Sequence, residues 1–264
     1  MVKVNQGKSD YLKFLGTAGA RFVMINQLRS SGGIWLDCAG SKVLIDPGPG
    51  SIVRCAKSRP RLDPGKLDAI ILTHRHLDHA NDINVMVEAM TEGGFKKRGT
   101  VFCPMDAIND DPVILKHALA FPKEICLIQA NQQYHVNDFV FTTSMRHIHP
   151  CQTYGLKFSI NNTSVGLISD TGYFDKLAEF YKTDILIIAV VLLEKRPGIA
   201  HLCLDEAASI IKAVSPKKAI LTHFGMTMLK AKPHIKAAEL SNKLGIEVVA
   251  ATDGMLVSLG LNLT

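Results

Sequence analysis

Four side chains able to ligate a metal fall within six residues, in the stretch His74-Arg75-His76-Leu77-Asp78-His79. In an extended segment alternate residues share a side, so His74 and His76 face one point. The chain then turns, and Asp78 and His79 address a second point close by. One ion cannot readily accept all four donors from so short a loop, whereas two neighbouring ions can. Imidazole and carboxylate together suit Zn²⁺, Mn²⁺ or Fe²⁺. Two such ions roughly 3.5–4 Å apart can share a hydroxide and clamp the attacking and leaving oxygens of a hydrolysis. Further residues of the same chemistry follow along the chain: His147 and His149, Asp170 in Ser169-Asp170-Thr171-Gly172, His201, and His223.

These residues sit at the ends of short β-branched and apolar runs that alternate with helical stretches. Leu12–Leu15, Phe22–Ile25, Ile34–Leu36 and Val43–Ile45 read as strands bounded by Gly or Pro. Ala69-Ile70-Ile71-Leu72 is apolar throughout and reads as a buried strand. A helix is expected from about Asp82 to Met90. Another is expected from Leu204 to Val214, with Asp205 near its start and Pro216 beyond its end. The chain also echoes itself. Asp68-Ala69-Ile70-Ile71-Leu72-Thr73-His74 is similar to Lys218-Ala219-Ile220-Leu221-Thr222-His223, each a buried strand that delivers a His at its C-terminal end. Strand ends are where α/β folds place chemistry.

Length and composition set the frame. The 264 residues fit one α/β domain spanning 1–264, and 47% hydrophobic content fills a sizeable core. The charge of +6 is spread along the chain, so it favours anionic substrates only weakly. The cluster Lys96-Lys97-Arg98 reads as a solvated loop. Six cysteines without a C-x-x-C pair read as buried free thiols in a reducing compartment. Residues Met1–Lys8 carry no apolar signal segment, and no apolar run is long enough to span a membrane. A cytoplasmic protein without a membrane partner is the expectation. Phe14-Leu15-Gly16-Thr17-Ala18-Gly19 lacks any phosphate-loop pattern and reads as a strand-to-strand turn. Arg21, Arg29, Lys230 and Lys232 are candidates to meet a substrate anion, with surface charge as their default role.

The motif Thr73-His74-x-His76-x-Asp78-His79 resembles the signature of the metallo-β-lactamase superfamily. Asp46 in Leu44-Ile45-Asp46-Pro47-Gly48 is similar to that family's early acidic element, and His149, Asp170 and His223 follow in the family's order. The resemblance implies a four-layer αββα sandwich with two related halves. It implies a hydrolase using a hydroxide held by two divalent ions, Zn or Mn, with Fe also suited. His74, His76 and His149 would hold one ion, Asp78, His79 and His223 the other, and Asp170 would bridge. Asp46 either caps a turn or accepts a hydrogen bond that orients a ligand histidine.

The resemblance is nearest to the RNase Z and cyclic phosphodiesterase branch. There the ligand His precedes a Gly by six positions, as His149 precedes Gly155, so His147 is expected at the rim of the site. His201, in His201-Leu202-Cys203-Leu204-Asp205-Glu206, is similar to the His that acts on the scissile phosphate in that branch. Asp78 and His201 are therefore the expected catalytic residues. RNase Z pairs that His with a Glu on the preceding strand; here Ile185–Val191 is apolar. The long tRNA-clamping arm has no room between Asp170 and His223, so tRNA is not an expected partner. Flavodiiron proteins, with Glu at the place of His76, and β-CASP nucleases, with a large insertion, also differ. The expected activity is hydrolysis of a small or cyclic phosphodiester, on a small anionic substrate. A homodimer stands as the alternative to a monomer. The alternative functions are hydrolysis of a thioester, lactone or other carbonyl compound, and a metal-binding protein without turnover.

Overall fold

Strands that are apolar on both faces need cover on both. The computed structural model, which describes residues 10–109 and 111–259, supplies it with two sheets pressed together and helices outside them. The first sheet runs in chain order through β1 (Tyr11–Phe14), β2 (Ile34–Cys38), β3 (Ser41–Ile45), β4 (Ala69–Ile71), β5 (Thr100–Cys103) and β6 (Glu124–Leu127). The second runs through β7 (Gln133–Val136), β8 (Phe139–Thr143), β9 (Leu156–Ile160), β10 (Thr163–Ile168), β11 (Ile185–Ala189), β12 (Lys218–Thr222) and β13 (Glu247–Ala250). The last strand, β14 (Leu256–Ser258), returns to pair with β1. In each sheet antiparallel neighbours give way to a parallel run, β3 to β6 in one and β10 to β13 in the other. This is the αββα sandwich, and its halves are related as the echoed sequence implies.

Side-chain alternation builds three layers of core from these strands. Val43, Ile45, Ala69 and Ile71 meet Phe141, Phe158, Leu167 and Ile187 between the sheets. Leu44, Ile70 and Leu72 point the other way, onto α4 (Ile83–Met90) through Ile83, Met86 and Val87. Leu186, Ile188 and Leu221 pack on Ile210, Ile211 and Val214 of α6 (Leu204–Val214). The apolar face of α6 recurs at helical spacing, and Glu206 caps its start by accepting from the Cys203 N–H at 3.1 Å. Ser215 ends it in the left-handed region, and Pro216 prevents continuation. Truncating a fully buried residue such as Ile211 to Ala is worth about 2–5 kcal/mol.

Two expectations are corrected. Phe22–Ile25 is not a strand: it lies in α1 (Ala20–Ile25), a short helix that buries Val23 and leaves Phe22 63% and Ile25 65% exposed. A short apolar run has no period of its own to separate strand from helix. Gly16–Gly19 accordingly leads into a helix rather than a second strand. It pairs with the end of the second sheet through the Ala18–Phe224 bridge. The six cysteines are free thiols, all buried except the half-buried Cys126. Among the described residues no helix is long and apolar enough to cross a membrane.

Asp184 fastens the start of the parallel run in the second sheet. It accepts hydrogen bonds from the Ser164 N–H at 2.8 Å and hydroxyl at 2.6 Å, and pairs with Lys217 at 2.9 Å. The Ser164 bonds, then Lys217, lower its pKa to about 2. A carboxylate depressed in the folded state stabilises above its unfolded pKa near 3.8, and that stability fades as pH falls towards 2. The carboxylate is half-buried and its partner Lys217 is exposed, so screening reduces the worth of the group to about 1 kcal/mol. The Asp184→Asn protein should therefore be about 1 kcal/mol less stable than wild type in urea at pH 6, and the gap should close as pH drops from 4 to 2. A gap independent of pH would contradict this assignment.

Candidate metal centre

The loops that follow β4, β8, β10, β11 and β12 meet at one end of the sandwich. The loop after β4 becomes α3 (Leu77–Ala80), which places Asp78 and His79 in its first turns, with His74 and His76 just before it. The loop after β8 carries His149, the loop after β10 Asp170, the loop before α6 His201, and the loop after β12 His223. All seven candidate ligands therefore converge, in two groups. His74, His76 and His149 form one; Asp78, His79, Asp170 and His223 form the other.

Asp170 stands at the centre. Its carboxylate is 3.2 Å from His223 Nε2, 3.6 Å from His79 Nε2, 3.8 Å from His74 Nε2 and 4.0 Å from His149 Nε2. His201 Nδ1 is also near, at 3.6 Å. Asp78 Oδ2 lies 3.5 Å from His223 Nε2 and 3.8 Å from His79 Nε2. Burial alone would push both carboxyls up. The surrounding histidines overcome it and hold Asp170 and Asp78 below the usual carboxylate range.

The histidines divide by environment. Burial pushes His74 well below its ordinary value, lowers His76, and takes His149 to about 4, so these three are neutral imidazoles. Burial also opposes charge on His79 and His223, but the adjoining carboxylates win. Asp78 and Asp46 hold His79 well above the usual range, and Asp170 raises His223 to about 9.

A layer of hydrogen bonds fixes which nitrogen faces inward. Asp46 accepts from the Thr73 N–H and the Thr73 hydroxyl, each at 2.7 Å, and from His79 Nδ1 at 2.9 Å. Because the Thr73 hydroxyl donates to Asp46, it must accept from His74 Nδ1, 3.1 Å away. His149 Nδ1 donates to the Ala200 carbonyl at 3.1 Å. The rings of His74, His79 and His149 are thereby turned so that Nε2 faces the centre. Of the two readings of Asp46, the structure bears out the one in which it orients a histidine.

These side chains fit a metal ion. His74 Nε2 is buried without any hydrogen-bond partner, which is costly for a polar atom. His149 Nε2 faces His76 Nδ1 at 3.0 Å, and His79 Nε2 faces His223 Nε2 at 3.2 Å. Nitrogen lone pairs so opposed repel unless a proton or a cation lies between them. Nitrogen and carboxylate oxygen are also the donor set that borderline divalent ions prefer.

Backbone strain accompanies the site. Asp46 and His223 hold φ angles of 52° and 58°, a region that costs a non-glycine residue energy. The Gly16–Gly19 segment supports His223 there: Phe224 N–H donates to Thr17 O at 2.9 Å, and Gly19 N–H to Phe224 O at 3.0 Å. A Cβ on Gly19 would stand 2.1 Å from the His223 carbonyl oxygen, so only glycine permits the approach.

His147 is not at the rim. It is 3% exposed and lies behind the centre, donating from Nδ1 to the Asp170 carbonyl at 3.1 Å and accepting at Nε2 from the Tyr181 hydroxyl at 2.9 Å. Burial lowers its pKa to about 4 and raises that of Tyr181, so both are neutral, as this pairing needs. Tyr181 in turn explains Gly155, where a Cβ would be 1.7 Å from the Tyr181 hydroxyl oxygen. Cys151 was not expected near the metal centre, yet its Sγ joins the His74, His76 and His149 group within 4.8 Å. Its place two residues beyond His149 was the available signal. Burial raises its pKa, so it is a protonated thiol in this setting. Arg29 stacks over Phe224 and donates to Thr17, and Lys230 and Lys232 lie on the surface. Arg146 is also exposed.

The geometry brings two adjoining groups of residues able to hold metal to one end of an αββα sandwich. Comparison with known proteins agrees. Residues 41–224 match the family described as the beta-lactamase superfamily domain, and the chain belongs to that family. It is 29% identical over 256 residues to the uncharacterized protein MJ1374 of Methanocaldococcus jannaschii, covering 93% of this chain and 94% of that one. Among solved structures it is similar to the metallo-beta-lactamase fold protein YhfI of Bacillus subtilis (TM-score 0.77, 22% identity, 95% of this chain and 99% of that one). It is also similar to a diphosphatase of the PhnP family (TM-score 0.70, 20% identity, 96% and 98%). The chain is thus a metallo-hydrolase of the β-lactamase superfamily with candidate metal-binding residues.

Two outcomes check this architecture. Asp46→Asn keeps the shape but weakens the hold on His79 and Thr73, and should reduce metal affinity by about 10–100-fold in a chelator competition. Unchanged affinity would remove Asp46 from the account. Tyr181→Phe leaves His147 Nε2 buried without a partner and should cost about 1–3 kcal/mol in urea unfolding. A cost near zero would mean that the His147–Tyr181 pair does not anchor the Asp170 loop.

Proposed function

We propose that the protein is a phosphodiesterase that hydrolyses a small or cyclic phosphodiester with two divalent ions, Zn²⁺ or Mn²⁺, Fe²⁺ being also suited. His74, His76 and His149 would hold one ion, and Asp78, His79 and His223 the other, with Asp170 between them. Ions so placed would stabilise charge on the phosphoryl oxygens and make a water acidic enough to attack at neutral pH.

The observation that carries the reading is the place of His201. It belongs to neither group able to hold a metal, yet its ring lies 5.2 Å from that of His149 and it opens onto the same cleft as His76, Asp78 and Asp170. The chain holds it there deliberately. Leu192 pairs with Cys203, the Leu192 N–H donates to the Leu202 carbonyl at 3.2 Å, and Lys195 is paired to Glu206 at 2.8 Å. A histidine beside the candidate metal groups but outside them supports a role on substrate.

The chain's own contribution follows from these positions. The Asp78 carboxylate, ionised by its histidine neighbours, accepts a hydrogen bond from the attacking water and orients it. As the water oxygen bonds to phosphorus it releases one proton to solvent, and the ester P–O bond breaks. His201 donates a proton to the departing oxygen, so the products are a phosphomonoester and an alcohol, or one ring-opened monoester from a cyclic substrate. The similarity to a diphosphatase of the PhnP family supports a phosphoryl centre over a carbonyl one.

Leaving-group dependence tests His201. General acid help is typically about 10²–10⁴-fold, or ~3–5 kcal/mol. His201→Ala should keep its metals and lose about that much kcat on an alkyl phosphodiester. On a p-nitrophenyl diester, whose leaving group needs little protonation, the loss should shrink. Equal losses would assign His201 to the phosphoryl oxygens instead. No loss on either substrate would count against phosphodiester hydrolysis and favour a thioester or lactone.

A further inference from the structure

The centre opens into a cleft of about 720 Å³ whose floor includes His76, Asp78, Asp170 and His201. A small polar phosphodiester would need only the floor. The walls have a different chemistry. They carry Phe22 and Ile25 of α1, Leu77 of α3, Leu192, Ile199 and Met226. Phe22, Ile25, Leu77 and Ile199 are 63%, 65%, 58% and 44% exposed. Large apolar side chains gathered in one exposed concavity mark a binding site. Nothing in the fold requires them: α1 buries only Val23, and its outer residues could be polar without disturbing the core.

The rim carries the complementary signal. Arg21 and Arg196 also line the cleft, both exposed, and neither side chain makes an ion pair or hydrogen bond among the described residues. Two uncommitted guanidiniums beside an apolar trough suit a ligand with an anionic head and an apolar body. The trough is continuous with the reacting centre, so the body belongs to the same molecule as the phosphate.

We infer that the substrate is an amphiphilic phosphodiester, taken from solution, whose alkyl chain lies along the apolar lining of α1 and the 192–201 loop while its phosphate sits at the metal centre. This rests on the phosphodiesterase reading above and narrows its substrate class. The chain length selects by burial: each methylene removed from water is worth roughly three- to fourfold in affinity.

Calorimetric titration of the metal-loaded protein with methyl phosphate and octyl phosphate tests this without requiring turnover. Octyl phosphate should bind at least about 30-fold more tightly than methyl phosphate, fewer than all seven extra methylenes being fully covered. Phe22→Ser and Ile199→Ser replace exposed side chains, so they should fold, as circular dichroism would verify, and each should cut the octyl-to-methyl ratio about fivefold. A ratio near one in the wild type, or a ratio unmoved by both substitutions, overturns the inference. So does a dimer that Phe22→Ser dissolves while octyl phosphate fails to bind, since the apolar face would then belong to a second copy. Binding to phosphatidylglycerol vesicles with no binding of free octyl phosphate also overturns it, in favour of a membrane surface. Hydrolysis of bis(p-nitrophenyl) phosphate separates the two levels. Turnover with a ratio near one sinks only the amphiphile, and a high ratio without turnover on any phosphodiester supports the cleft while contradicting the activity beneath it.

Discussion

One buried carboxylate surrounded by five histidines governs this structure. Asp170 is 2% exposed, and ring nitrogens of His74, His79, His149, His201 and His223 lie within 4.0 Å of it. An ionised carboxylate withdrawn from water is stable only when positive charge is supplied around it. Here that charge comes from imidazolium protons or, in the proposed hydrolase, from metal ions. The arrangement of strands follows from the same need. No single loop can surround a carboxylate, so the two sheets bring loops from β4, β8, β10, β11 and β12 to one end.

Holding that ring of side chains requires the backbone to be held as well. Asp46 and His223 sit in the left-handed region, and the Gly16–Gly19 segment presses on His223 from behind. His147 and Tyr181 secure the carbonyl of Asp170 on the opposite side. Strain at such positions persists only when the surroundings over-determine it. The hydrogen bonds of Asp46 to Thr73 and His79, and the tight approach of Tyr181 to Gly155, are that over-determination. The centre is therefore held from behind and opens in front onto the cleft lined by α1, α3, the 192–201 loop and Gly225–Thr227.

Much of the centre could be read from the sequence, for a physical reason. His74, His76, Asp78 and His79 lie so close along the chain that their convergence needs no knowledge of the fold, and the strand-then-His echo at His223 points to the same end of a sheet. The continuous apolar runs at β4 and β11 announced strands covered on both faces. His147 was misplaced because the spacing of His149 to Gly155 says nothing of where a neighbouring ring points, and residues 144–155 form an irregular loop that turns it behind the centre. Phe22–Ile25 misled for a related reason. Its apolar residues serve the cleft rather than the core, so hydrophobicity did not report burial. The cleft itself is assembled from α1, α3, the 192–201 loop and Gly225–Thr227, segments distant in sequence that no local pattern connects.

The central claim is that the paired histidine and aspartate groups hold two metal ions, and anomalous diffraction addresses it most directly. Crystals of the protein loaded with Mn²⁺ or Zn²⁺, measured on both sides of the metal absorption edge, should show two peaks per chain. One is expected among His74, His76 and His149, the other among Asp78, His79 and His223, with Asp170 reaching both. A single peak, or peaks away from Asp170, would contradict the account.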